Sequence, residues 1–192
     1  MAGVGCTDDA MCWNLIGLVG RGGSGKDTAA KRLIEKPQWV RVAFDDLLGV
    51  AFDDLLGVSY RQGMQAVGTE LVRDQLQKVL SEIGTEGFWI QDMRRTVEQH
   101  WQEGKRVIIT DVRFEDEANA IIELGGLLVF VDRPNVDRSD GHSSETGVDT
   151  IVAKYRAPDM LVRLENNSSV ETLQWKLLTI AQGADAPLAA FR

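Results

Sequence analysis

Between Gly20 and Thr28 the chain reads Gly-Arg-Gly-Gly-Ser-Gly-Lys-Asp-Thr, a glycine-rich run that ends on a lysine. Small residues let the backbone amides of Gly22, Gly23, Ser24 and Gly25 curl around a phosphate, and Lys26 has the length to reach its oxygens. A helix that starts at Lys26 would offer its N-terminal amides to the same anion. Loops of this kind usually carry Ser or Thr after the lysine; here Asp27 stands there and Thr28 follows. A carboxylate cannot donate the hydroxyl that normally touches Mg²⁺. Asp27 is therefore expected to meet the ion directly or through water, with Thr28 bonding a phosphate oxygen.

A second stretch, Arg106-Val107-Ile108-Ile109-Thr110-Asp111-Val112-Arg113-Phe114, delivers a carboxylate from the end of an apolar run. That is where an enzyme with a phosphate-binding loop holds Mg²⁺, which makes Asp111 a metal candidate. The competing reading is that Asp111 caps a helix starting near Glu115. Arg113, two residues on, carries a planar fork of donors suited to a transferred or acceptor phosphate. Between Tyr60 and Arg73, Arg61, Gln65 and Arg73 combine two cations with an amide able to read a base edge. A solvated helix face has the same composition, so this cluster alone decides nothing.

The polar stretch from Arg133 to Glu145 has the makings of a lid, because phosphoryl transfer needs cations around the equatorial oxygens and exclusion of water. Arg133 and Arg138 are its candidates. His142 reads as a loop or capping residue, since no second His or clustered thiol accompanies it. Phe88 and Trp89 either stack on a base or pack in the core.

These groups need a scaffold, and alternating signals supply one. Apolar runs at Trp13–Val19, Val40–Phe44, Arg106–Thr110, Leu127–Val131 and Met160–Leu164 read as strands. Helical patterns cover Lys26 to Lys36, stopped by Pro37; Asp45 to about Leu80, broken near Ser59; Trp89 to Glu103; Glu115 to Leu124; and Val170 to Ala181. Strand and helix in alternation predict an α/β fold, a parallel sheet of about five strands covered by helices. Residues 1–12 read as a flexible leader, 13–182 as the domain, and 183–192 as a flexible tail. Within the domain, residues from about 45 to 103 form an acceptor-binding insert and those from about 133 to 150 the lid. The octapeptide Ala43–Val50 recurs unchanged at Ala51–Val58. Eight residues add about 2.2 helical turns, so a continuous helix would rotate everything downstream by roughly 80°. A bulge or loop must absorb that rotation.

Composition narrows the partners. A chain of 192 residues with 44% hydrophobic content can build one core. The formal net charge of -8 argues against a broad footprint for duplex nucleic acid, which needs a basic face. No run approaches the length that crosses a bilayer, and we expect a cytoplasmic protein. Cys6 and Cys12 are too few for a disulfide framework or a zinc site. The expected partner is a small nucleotide substrate, and a homodimer is left open.

In sequence order the motifs GSGKDT (23–28), RQxxQxxGTExxR (61–73), Phe88-Trp89, TDVRFxxEA (110–118), GGxLxxVxRP (125–134), HSSE (142–145) and the Asn166-Asn167-Ser168 turn resemble the deoxynucleoside monophosphate kinases of tailed bacteriophages. The likeness runs from about Asn14 to Leu173. It implies a three-layer P-loop NTPase fold with helices on both faces, ATP with Mg²⁺ as donor, and a deoxynucleoside monophosphate as acceptor. It sets Lys26 and Arg113 at phosphate-handling positions, Arg61, Gln65 and Arg73 in the acceptor site, and Asn166 near the adenine; Asp46 and Trp89 complete the candidate substrate set. The chain departs from the family where Phe-Ala-Asp is commonly followed by Lys: here Phe44-Asp45-Asp46 leads to Gly49. A phage-encoded chain would work in the host cytoplasm. Two other readings stand beside this one: another small-molecule P-loop kinase, acting on a coenzyme precursor or a phosphorylated mevalonate derivative, and a nucleotide-binding protein without turnover.

Overall fold

The computed structural model describes residues 13–44, 88–134, 143–157 and 160–183. Five strands, β1 (Leu15–Val19), β2 (Trp39–Val42), β3 (Arg106–Val112), β4 (Leu127–Asp132) and β5 (Leu161–Glu165), make one parallel sheet in the order β2-β3-β1-β4-β5. Parallel neighbours need long crossovers, and helices supply them. Those described are α1 (Lys26–Ile34), α2 (Phe88–Gln102), α3 (Glu115–Glu123), α4 (Ser143–Lys154) and α5 (Val170–Ala181). The expected α/β architecture is therefore present.

The sheet is covered on both faces. On one, Leu15, Val107, Ile109, Val112 and Leu128 meet Met93 and Val97 of α2, Ile121 of α3, and Val148 and Ile151 of α4. On the other, Ile16, Leu18, Ile108, Val129 and Val131 meet Ala29, Ala30 and Leu33 of α1 and Leu173, Leu177 and Leu178 of α5. Every residue of the central strand β1 is buried, whereas the edge strands β2 and β5 carry exposed positions. That is the signature of a parallel sheet enclosed by helices, and it explains why the inner strands read as unbroken apolar runs. Arg32 stacks on the Trp175 ring at 4.1 Å and Gln174 Nε2 donates to Thr28 O at 3.0 Å, so α1 and α5 are tied together at the surface.

Boundaries differ from the sequence reading in three informative places. β2 ends at Val42, and Phe44 has left the strand. β3 continues past Thr110 through Val112, so Asp111 lies within the strand and not beyond it. The polar stretch from Arg133 to Glu145, read as the makings of a lid, gives way to α4 at Ser143. Its apolar stripe, Val148, Ile151, Val152 and Tyr155, has helical spacing but follows a Ser- and Asp-rich approach that hides the start.

The order of strands decides where a site can lie. From β1 the chain goes out to β2, returns to β3 beside β1, then crosses to β4 on the other side of β1. In open parallel sheets ligands bind in a crevice outside the carboxyl ends of the strands at such a reversal. The loop after β1 and the end of β3 both face it.

Ile121 is fully buried and is one of the side chains closest to Gly17 in the middle of β1. Ile121→Ala is expected to cost about 2–5 kcal/mol, the range for large-to-small changes in a close-packed core. Urea denaturation should give a lower midpoint at an unchanged slope.

Candidate active site

The glycine loop begins where β1 ends. Ser24 N–H returns to Arg21 O at 3.1 Å, and Gly25 precedes α1 with φ +96°. An L side chain is disfavoured at that φ, and a Cβ there would stand 2.6 Å from Asn166 Nδ2. Lys26 folds back over the loop, its Nζ donating to Gly20 O at 2.5 Å and Arg21 O at 3.0 Å. From the outer side Asn166 Nδ2 donates to Ser24 O at 2.8 Å and Arg133 Nη1 to Gly23 O at 3.3 Å. Side chains thus occupy the carbonyls of Gly20, Arg21, Gly23 and Ser24.

What remains on offer is donors. The first turn of α1 has amides without intrahelical acceptors, at the positive end of the helix dipole. Ser24 is 4% exposed, and its Oγ has no hydrogen-bond partner among the described residues. A Cβ on Gly20 would fall 2.7 Å from that hydroxyl and 2.8 Å from Val131 O, so the loop closes directly on the sheet. A buried lysine, a helix N-terminus and a buried hydroxyl together suit a phosphate group.

Asp111 reaches the same crevice through an irregularity. Gly17 pairs with Ile109 but Val19 pairs with Val112, so two steps on β1 match three on β3. The extra residue falls at Thr110–Asp111. A bulge of this kind re-aims a side chain; Ile109 and Val112, three apart, both stay in one core cluster while Asp111 is released from it. Asp111 is 7% exposed, and its Oδ1 accepts from Phe44 N–H at 2.9 Å. It does not cap α3. The residue before that helix is Phe114, and the buried Glu117 closes the turn, its Oε2 accepting from Arg113 N–H at 2.8 Å and Phe114 N–H at 3.0 Å. Thr110 Oγ1, also buried, lacks a partner among the described residues.

The other candidates divide by position. Asp27 lies exposed in the first turn of α1, with Arg41 Nε 3.9 Å from its Oδ1. Thr28 is exposed beside it. Arg113 sits half-buried on the turn after β3. Asp46, Arg61, Gln65, Arg73, Arg138 and His142 lie outside the described residues, and of Trp89 only the helical backbone at the start of α2 is described.

Several residues that the sequence reading passed over belong to this neighbourhood. Arg21 Nη2 meets Asp149 on α4 at 2.8 and 3.1 Å, which links the loop to that helix. At its far end α4 is held by Lys154, which donates to Glu115 Oε1 at 2.5 Å and Asn119 Oδ1 at 2.9 Å. The bond to Glu115 raises the Lys154 pKa above its ordinary value. Tyr155 OH also donates to Asn119. Gly147, inside α4, is pressed against the turn of Arg113: a Cβ there would lie 2.3 Å from Arg113 O. Only Glu117 had a legible signal, an acidic residue at the third position of a helix whose first turn is acidic.

Comparison with known proteins follows from this geometry. A family model described as "Deoxynucleotide monophosphate kinase" matches residues 42–177. A protein of Acanthamoeba polyphaga mimivirus named "Putative deoxynucleotide monophosphate kinase" is 31% identical over 198 residues, covering 88% of this chain and 97% of that one. Among solved structures, dephospho-CoA kinase from Campylobacter jejuni superposes with a TM-score of 0.57 at 11% identity, covering 89% of this chain and 97% of that one. Thymidylate kinase from Ehrlichia chaffeensis gives a TM-score of 0.52 at 15% identity, covering 88% and 98%. At such identities the two structures speak for the fold alone.

A glycine inside a helix costs about 0.5–1 kcal/mol relative to alanine, so Gly147→Ala would stabilise α4 if the site were open. With a backbone oxygen in the way, the expected result is the reverse, a loss of about 1–3 kcal/mol as for an overpacked core. The sign of the shift in the denaturation midpoint decides it.

Proposed function

The chain belongs to the deoxynucleotide monophosphate kinase family, and on that premise we propose that it transfers the γ-phosphoryl group of ATP to a deoxynucleoside monophosphate, releasing ADP and the deoxynucleoside diphosphate. It is a phosphotransferase. The observation that carries the active-site reading is Lys26 folded over a glycine loop at the start of α1, one strand away from the re-aimed Asp111.

The chemistry asks little of the protein in covalent terms. The acceptor's phosphate, with a second pKa near 6, is mostly a dianion at neutral pH, so its oxygen attacks the γ-phosphorus without a general base. The bond to the β–γ bridging oxygen breaks, and ADP leaves with that oxygen. Charge on the transferred group must be neutralised and the reactants held in line. Lys26 serves the β and γ oxygens, and Arg113 and Arg133, with Arg138, serve the transferred and acceptor phosphates. Arg61, Gln65 and Arg73, with Asp46 and Trp89, form the acceptor side.

Mg²⁺ fits the donor set. Among the described residues no group of three or more His, Cys, Asp or Glu could hold a metal ion unaided. Mg²⁺ is commonly held by one or two carboxylates together with phosphate oxygens and water. Asp111 and Asp27 are the carboxylates that would hold it. Bound there, Mg²⁺ would supply positive charge to offset that of the phosphates. The mimivirus relative accords with a viral origin, and a phage-encoded chain acting in the host cytoplasm is part of the proposal. No helix among the described residues is long and apolar enough to cross a membrane.

A coupled assay of ATP consumption, run over a panel of deoxynucleoside monophosphates and unrelated phosphorylated acceptors, tests the assignment. Turnover with at least one deoxynucleotide is expected; turnover confined to a non-nucleotide acceptor would overturn it. Lys26→Ala should lower kcat by at least about 10²–10³-fold, the loss seen when one preorganised donor is removed. The chain should still fold, with a melting temperature lowered by the loss of the donor to the Gly20 and Arg21 carbonyls. Retained turnover would remove Lys26 from the site.

A further inference from the structure

We propose that Asn166 is a positioning residue for the donor's polyphosphate, acting through the peptide between Ser24 and Gly25. The proposal rests on the kinase reading above and assigns Asn166 a task other than contact with the base. Its place is fixed by the sheet. Asp132 and Glu165 pair at the ends of β4 and β5, and Asn166 N–H continues that ladder by donating to Asp132 O at 2.6 Å. The residue after β5 is thereby held beside the glycine loop. From there its side chain donates Nδ2–H to Ser24 O at 2.8 Å.

The consequence follows from peptide planarity. Ser24 C=O and Gly25 N–H belong to one rigid unit and point in opposite directions. Holding the oxygen outward, toward Asn166, turns the Gly25 amide to the inner side of the loop. The fit is close, since Gly25 has φ +96° and a Cβ on it would stand 2.6 Å from Asn166 Nδ2. No other described side chain is bonded to Ser24 O. Removing the Asn166 amide leaves this peptide free to rotate, and the loop loses an aimed donor before any ligand arrives.

This task needs a donor at Nδ2 and makes no use of the base. Titration calorimetry of the full chain with ATP and with inorganic tripolyphosphate, each with Mg²⁺, separates the two. For Asn166→Ala both ligands should bind about 10–100-fold more weakly and by a similar factor, as for loss of a hydrogen bond to a charged group. KM for the deoxynucleotide should not move. Asn166→Asp, nearly isosteric and carrying an acceptor in place of the donor, should bind no better than Asn166→Ala, and it serves in its place should that variant fail to fold. Weaker ATP binding with unchanged tripolyphosphate binding would mean that Asn166 reads the base, and would overturn the proposal. Unchanged binding of both ligands would overturn it equally. A parent chain that binds neither ligand would instead overturn the kinase reading.

Discussion

A glycine-rich loop has few side chains with which to pair its own carbonyls, so their donors must come from around it. That constraint organises this molecule. Lys26 answers it for Gly20 and Arg21, Arg133 for Gly23 and Asn166 for Ser24. These donors come from three separate parts of the chain, brought together because β4 lies next to β1 and β5 next to β4 in the sheet. Any disturbance of that strand order would take Arg133 and Asn166 away from the carbonyls of Gly23 and Ser24.

The second dependence runs through β3. A regular strand would send Asp111 to a face of the sheet already filled by α2 and α3. The bulge opposite Gly17 and Val19 frees it to sit at the strand end and to take the Phe44 amide from the chain leaving β2. Glu117 completes the turn by receiving the amides of Arg113 and Phe114. A carboxylate at the crevice and a separate one for the helix start keep the two tasks apart.

How much of this was legible follows from the range of the forces involved. The glycine loop is a local pattern of glycines and lysine with a strand before and a helix after, all within contiguous residues, so its place between β1 and α1 could be read directly. The inner strands were legible because burial on both faces makes each one a continuous apolar run, and the edge strands β2 and β5 from shorter apolar stretches around Arg41 and Arg163. The bulge was not, since nothing in Thr110–Asp111 distinguishes a regular strand from one with a residue too many; only pairing with β1 reveals it. The helix from Ser143 to Lys154 was hidden by its polar beginning. Arg21 with Asp149, Gly147 with Arg113, and Asn166 with Ser24 are contacts between residues far apart in the chain, and no local pattern encodes them.

The repeated octapeptide begins at Ala43, one residue after β2 ends. Pairing of Val42 with Ile109 is therefore set upstream of the repeat, and so is the arrival of the Phe44 amide at Asp111. Since both copies start Ala-Phe, the residue that reaches Asp111 keeps its identity however many copies follow. Adding or removing a copy therefore changes the length of chain between β2 and α2 without changing the residue that meets Asp111.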